Sequence, residues 1–186
     1  MAPPAWGRRA GFPPVLPLFV VLAVALLGFA ALELTRDGGS TLAGHAEAVD
    51  GDTLKLGRAR IRLVGLDAPE AEQTCSDASG RDWPCGLSAK AFVAGALHGG
   101  EIACAARGRD AYGRLLASCT IDGRDLGAEI VSEGWAVADL PYAPQEGAAR
   151  LARRGIWSGT FVPPAEWRRT HGAAPSLWDW IRSWFQ

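Results

Sequence analysis

Lysine is almost missing from this chain: among 19 basic residues only Lys55 and Lys90 are lysines, the rest being arginines. Arginine carries a rigid fork of donors suited to two-point contact with carboxylate or phosphate. An excess of charge is missing as well, since 20 acidic residues leave a formal net charge of -1. No global basic field therefore gathers nucleic acid, which counts against a stoichiometric binder more than against an enzyme needing a local grip on one phosphate. There is no CxxC pair and His45, His98 and His171 are scattered, which argues against a zinc site. Finally, no charged side chain interrupts the stretch from Val15 to Leu32, a poor match to an ordinary core helix. Beyond that stretch, the 186-residue chain has room for one domain with a real core, not for two catalytic ones.

These features divide the chain. Residues 1–14, with Trp6, Arg8 and Arg9, read as a cytoplasmic or signal n-region, and residues 15–32 are about long enough to cross a bilayer as one transmembrane helix. Positive charge ahead of the apolar run keeps the N-terminus in the cytoplasm and sends the remainder across. A retained anchor is the first reading. A signal peptide cut after Ala30, behind the small residues Gly28 and Ala30, is the alternative. Either way the folded part lies on the exported side, periplasmic or extracellular, and is secreted if the segment is removed. Residues 33–41 form a linker containing RDGGST at Arg36–Thr41, residues 42–160 the domain, and residues 161–186 a tryptophan-rich tail. In that tail Leu177, Trp180, Ile181 and Trp184 recur at helical spacing, which suits a membrane interface, the barrel surface or a protein partner.

Within the domain the periodicity predicts strands at Leu42–Val49, Thr53–Leu56, Arg60–Leu66, Glu101–Ala106 and Leu115–Ile121. On the third of these Ile61 and Leu63 fall on one face and Arg60 and Arg62 on the other. Helices are predicted over a stripe of Leu87, Ala91, Ala94 and Leu97, over Asp125–Glu133 with Leu126, Ile130 and Val131 inward, and over Pro144–Arg154 with Leu151 inward. About five short strands with about three helices, and no strand–helix repetition, make an α+β chain: a small barrel packed by helices, expected as a monomer. The cysteines 75, 85, 104 and 119 permit two disulfides in an exported domain. Chain order and the last hairpin favour Cys75 with Cys85 and Cys104 with Cys119.

The chemistry concentrates in Asp50–Glu70, DGDTLKLGRARIRLVGLDAPE. Asp50 and Asp52 flank a glycine at a turn, and Asp67 and Glu70 flank Ala68-Pro69 after a strand. Carboxylates converging at strand ends repel unless a cation or an arginine offsets them. Oxygen ligands favour a hard ion, calcium or magnesium. Arg62 lies between the two acidic pairs and Arg114 follows Tyr112-Gly113. Two arginines near one metal can hold a phosphodiester and neutralise charge growing on its oxygens, while Glu70 accepts a proton from attacking water.

The motifs DGDT, RLVGLDAPE and YGR, in that order, with EGWA at Glu133–Ala136 and RRGIW at Arg153–Trp157, resemble the thermonuclease or staphylococcal-nuclease-like family. The resemblance implies a five-stranded barrel of the oligonucleotide-binding type. It implies calcium held by Asp52, Asp67 and the Ala68 carbonyl, with Asp50 supporting the metal's water shell. It implies Arg62, Arg114 and Glu70 as the catalytic set, and hydrolysis of DNA and often RNA to a 3' phosphate and a 5' hydroxyl. The threonine the family carries after its metal aspartate is Ala68 here, and Tyr142 follows Trp135 without a run of tyrosines to stack bases. The rival readings are a catalytically inactive nucleic-acid-binding module and a structural envelope protein.

Overall fold

The computed structural model describes residues 20–27 and 40–171. The chain separates into two units, Met1–Gly38 and Gly39–Gln186. In the first, α1 (residues 20–27) is an exposed helical piece of the predicted apolar segment. The rest of that segment, residues 1–14 and the tryptophan-rich stretch beyond residue 171 lie outside the described residues. Among the described residues no helix is long and apolar enough to cross a membrane.

The second unit runs β1 (Thr41–Gly44), β2 (Ala46–Ala48), β3 (Thr53–Leu56), β4 (Ala59–Leu63), β5 (Leu66–Asp67), β6 (Cys75–Ser76), β7 (Asp82–Trp83), α2 (Cys85–Leu97), β8 (Ile102–Arg109), β9 (Leu115–Ile121), β10 (Arg124–Asp125), α3 (Leu126–Ser132), β11 (Val137–Ala138), α4 (Ala143–Leu151) and α5 (Pro164–His171). The main sheet has the order β1-β8-β9-β4-β3-β2, with β10 added to β9. Its pairs are antiparallel except β4 with β9, which run parallel from Ile61↔Leu115 to Leu63↔Ala117. The predicted single strand Leu42–Val49 is in fact broken at Gly44-His45. Gly44 has φ +143, a backbone state that a side chain disfavours, and the two halves turn to different neighbours. One half pairs with β8 and the other with β3, so one bent strand serves both edges and the sheet curls. This α+β arrangement fits an oligonucleotide-binding type of fold.

The core lies between the inner sheet face and the helices. Leu54, Ile61, Leu63, Ile102, Ala117 and Ile121 meet Leu126, Ile130 and Val131 of α3, and all are buried. Helix α3 starts as predicted, with the Asp125 carboxylate accepting from the Ala128 amide at 3.0 Å, a bond that satisfies one of the free donors of a helix start. Two predicted stripes are corrected. On α2 the buried residues are Cys85, Gly86, Ala89, Val93 and Leu97, while Leu87 is exposed, because the spacing of four from Cys85 follows one face and Leu87 lies off it. On α4 the small Ala149 is buried and Leu151 is exposed. Two residues further on is about 200° round the helix.

Both favoured disulfides are present, Cys75–Cys85 and Cys104–Cys119, and the described residues hold no free cysteine. The second joins direct cross-strand partners of the β8–β9 hairpin. The helix count exceeds the expected three. The chain beyond Thr160 continues into α5, which the periodicity did not mark.

Candidate active site

Strand pairing assembles the first half of the site. Thr53 and Arg62 are direct partners across β3 and β4, so their side chains rise from the same face. Asp52, one residue before β3, is tied to the same strand by the Leu63 amide, which donates to its carbonyl at 2.9 Å. From that face the Arg62 guanidinium donates through one nitrogen to Asp52 Oδ1 at 2.8 Å and through the other to Asp67 Oδ1 at 2.8 Å. Asp67 arrives at the end of β5, which β11 holds through the Val137↔Asp67 pair. The two aspartates predicted to share a cation thus share one guanidinium.

Asp52 is the most confined of the carboxylates, its side chain 5% exposed. Its Oδ1 also accepts from the Thr53 hydroxyl at 3.0 Å and its Oδ2 from the Ala68 amide at 3.2 Å. Burial pushes its carboxyl up to about 7, against the lowering pull of Arg62 and with a further upward push from Asp50. Asp50 itself closes the turn, its Oδ1 accepting from the Asp52 amide at 3.0 Å.

The second half comes from the β8–β9 turn. The Gly113 amide donates to the Asp110 carbonyl at 3.0 Å, and Gly113 takes φ +77, which explains the glycine of YGR. The Asp110 carboxylate accepts from the Tyr112 amide at 2.9 Å, the Arg114 amide at 2.9 Å and Arg114 Nε at 2.7 Å. Desolvation pushes its pKa up, and these hydrogen bonds with the Arg114 charge outweigh that and hold it below the ordinary carboxylate value. Held there, Arg114 reaches Thr53 Oγ1 at 3.4 Å. Tyr112 stands exposed beside it, with the guanidinium 5.5 Å from the ring centre.

A third guanidinium completes the cluster. Arg168 of α5 donates to Asp67 Oδ1 and Oδ2, both at 2.9 Å, and to Glu70 Oε1 at 2.8 Å. These bonds, Asp67 foremost, raise its pKa further above the ordinary arginine value. The result is one network running Asp110, Arg114, Thr53, Asp52, Arg62, Asp67, Arg168, Glu70. Part of it lines a cleft of about 680 Å³ whose walls include Asp50, Arg62, Glu70, Tyr112, Arg114 and Arg168, while Asp52, Thr53 and Asp67 are joined to those walls through the arginines. Of the predicted residues, Asp50, Arg62, Glu70 and Arg114 line the cleft, Asp52 and Asp67 are held by Arg62, and Ala68 joins through its amide on Asp52. Thr53, Asp110 and Arg168 were not anticipated. Asp110 had a local signal, lying four residues before Arg114 in a turn; Arg168 had none.

The donor chemistry fits a hard cation in part. The acidic groups are all oxygen donors, and counting lone pairs leaves one free on Asp52 Oδ2 and one on Asp67 Oδ2. A buried carboxylate whose desolvation outweighs its arginine partner is the kind of group that further positive charge relieves. Among the described residues, however, no three His, Cys, Asp or Glu side chains stand close enough to hold a metal together. Two carboxylates are drawn to one point, and the remaining ligands would have to be backbone carbonyl and water.

The structure thus sets arginines and carboxylates together at one cleft of a curled sheet, an arrangement able to hold a phosphate. The chain belongs to the family described as staphylococcal nuclease homologue, whose model matches residues 60–159. It is 36% identical over 137 residues to the succinoglycan biosynthesis protein ExoI of Rhizobium meliloti (strain 1021), covering 69% of this chain and 72% of that one. It is 34% identical over 134 residues to an uncharacterized endonuclease of Escherichia coli O157:H7, covering 64% and 80% respectively. Against the endonuclease YhcR of Bacillus subtilis (strain 168) the identity is 30% over 131 residues, which is 59% of this chain and only 11% of that much longer protein.

Proposed function

We propose that the chain is a calcium-dependent endonuclease that hydrolyses DNA, and RNA as a second substrate, by attack of water, leaving a 3' phosphate and a 5' hydroxyl. The observation that carries this reading is the Arg62 fork on Asp52 and Asp67, with Arg114 linked to the same cluster through Thr53. Asp52, Asp67 and the Ala68 carbonyl would hold the ion, with Asp50 behind them through water, and the bound ion supplies positive charge at the phosphate and orients water. Arg62 and Arg114 grip the scissile phosphate as charge builds on its oxygens. Glu70 takes the proton from the attacking water.

The domain acts on the exported side of a membrane, with the N-terminal apolar segment as its anchor. Two disulfides among the described residues support that placement, since such bonds persist in oxidising compartments. The test of activity uses the full chain with single- and double-stranded DNA and RNA, in calcium, in magnesium and in chelator. Cleavage in calcium, abolished by chelator and slowed about 10²–10³-fold in both Arg62→Ala and Glu70→Gln, is the expected result. Undiminished cleavage in both variants overturns the assigned roles.

A further inference from the structure

We propose that Arg168 is the chain's own counter-ion for this site: in the cation-free protein it holds Asp67 and Glu70, competes with a divalent cation for them, and so sets how tightly that cation binds. The inference rests on the nuclease reading above for the identity of the cation.

Lone-pair occupancy and charge together set up the competition. Asp67 Oδ1 already accepts from Arg62 and Arg168, which fills both its lone pairs, and Oδ2 accepts from Arg168 again. Glu70 gives Oε1 to the same guanidinium. A cation at Asp67 finds one free lone pair, on Oδ2, an atom that Arg168 already holds, and a water facing Glu70 shares that carboxylate with the same guanidinium; a divalent ion also repels the guanidinium.

The approach of α5 is built into the fold. Thr160 and Ser76 exchange both backbone hydrogen bonds, at 2.9 and 2.8 Å. A Cβ on Gly159 would stand 2.0 Å from the Ser76 carbonyl oxygen, so only glycine permits that closeness. Gln73, fully buried, donates to the Val162 carbonyl at 2.6 Å and accepts from the Glu70 amide at 3.3 Å. One side chain thereby links the backbone of Glu70 to the segment that delivers Arg168. Pro164, which opens α5, is also buried. An isolated pair such as Arg81 with Asp77, whose arginine is 82% exposed, contributes little. Arg168 is less exposed, at 38%, and makes three hydrogen bonds to two carboxylates, the two-point geometry in which ion pairs are strongest. It also lies outside the family-matched residues 60–159.

Calorimetric titration of the full chain in detergent with calcium tests this, comparing the parent with Arg168→Ala, Arg168→Gln and Arg169→Ala, each first shown to melt cooperatively. Arg168→Gln keeps most of the side-chain stem while removing the charge, and Arg169→Ala controls for loss of a nearby positive charge. Both Arg168 variants are expected to bind calcium about tenfold tighter, and Arg169→Ala within about twofold of the parent. Calcium should also speed tryptic cutting after Arg168 in the parent, as the side chain leaves its partners. Calcium binding in the parent that is no tighter in either Arg168 variant overturns the role of Arg168 and leaves the nuclease reading standing. No calcium binding in any form overturns both.

Discussion

Replacing Arg62 by alanine isolates the interaction on which the site is built. Its side chain is 19% exposed and bridges a nearly buried aspartate to a second one. Without it Asp52 retains only the Thr53 hydroxyl and the Ala68 amide, and Asp67 keeps Arg168. Removing one partner from a buried ion pair costs about 3–5 kcal/mol where the remaining charge is left uncompensated, and because burial already lifts the Asp52 carboxyl to about 7 the comparison is made well above neutral pH, where Asp52 is held to its charge. The partial exposure of Arg62 and the surviving bonds place the expectation at the lower end, about 3 kcal/mol in calcium-free buffer. With a urea slope of about 2 kcal/mol per molar, the unfolding midpoint falls by about 1.5 M. Arg62→Lys should recover only part, since an ammonium is a point charge that cannot fork between two carboxylates. Asp52→Asn added to Arg62→Ala should regain at least about 1 kcal/mol, a positive coupling between the two sites. A bland strand arginine would change stability by under about 0.5 kcal/mol. That result, or simple additivity with Asp52→Asn, refutes the reasoning.

Tyr142 should ionise late. Burial and the hydrogen bond from its hydroxyl to Asp125, 3.0 Å from Oδ1, raise its phenol to about 12, against a small lowering by Arg107. Because the folded value exceeds the ordinary 10, the folded chain keeps a proton that the unfolded chain gives up. Its stabilising effect is thus complete below pH 10 and is lost as pH rises to about 12. Absorbance near 295 nm should show a phenolate transition there that vanishes in Tyr142→Phe, and an ordinary titration would contradict the assignment. Replacing Cys75 and Cys85 together by alanine opens a loop closed over a separation of 10 residues, which by loop entropy costs about 3 kcal/mol. The same change should speed tryptic cutting after the exposed Arg81, and unchanged melting and cutting would show that the backbone pairs alone hold this loop.

What was legible in the sequence, and what was not, divides along the range of the interactions. The faces of Ile61 and Leu63 against Arg62 follow from alternation within one strand, and Leu126, Ile130 and Val131 from spacing on one helical turn; both were read correctly. The cross-strand cysteine pair followed from a hairpin of adjacent strands. Gly44 was missed because its neighbours continue an apolar alternation, and only the need to serve two edges of a curled sheet bends the chain there. Leu151 misled because hydrophobicity was taken for burial. The buried residue of α4, which packs beside α3, is instead the small Ala149.

The same division explains the site. Asp67 lies five residues from Arg62 and 101 from Arg168. The first pairing joins β4 to β5, which follow each other in the chain with only a short turn between them. The second exists because Gly159 and Thr160 lie against Ser76 and Val162 against Gln73, and those contacts bring no period or motif to the PAEWRRTH segment. A carboxylate cluster on a chain of nearly balanced charge must find positive charge somewhere, and the motifs offered a metal and Arg62 but not Arg168. The fold supplies two arginines before any metal is considered. On the reading proposed above, the affinity for a cation is a difference between two occupants of the same carboxylates, and its size depends on how firmly α5 is held as well as on the aspartates themselves.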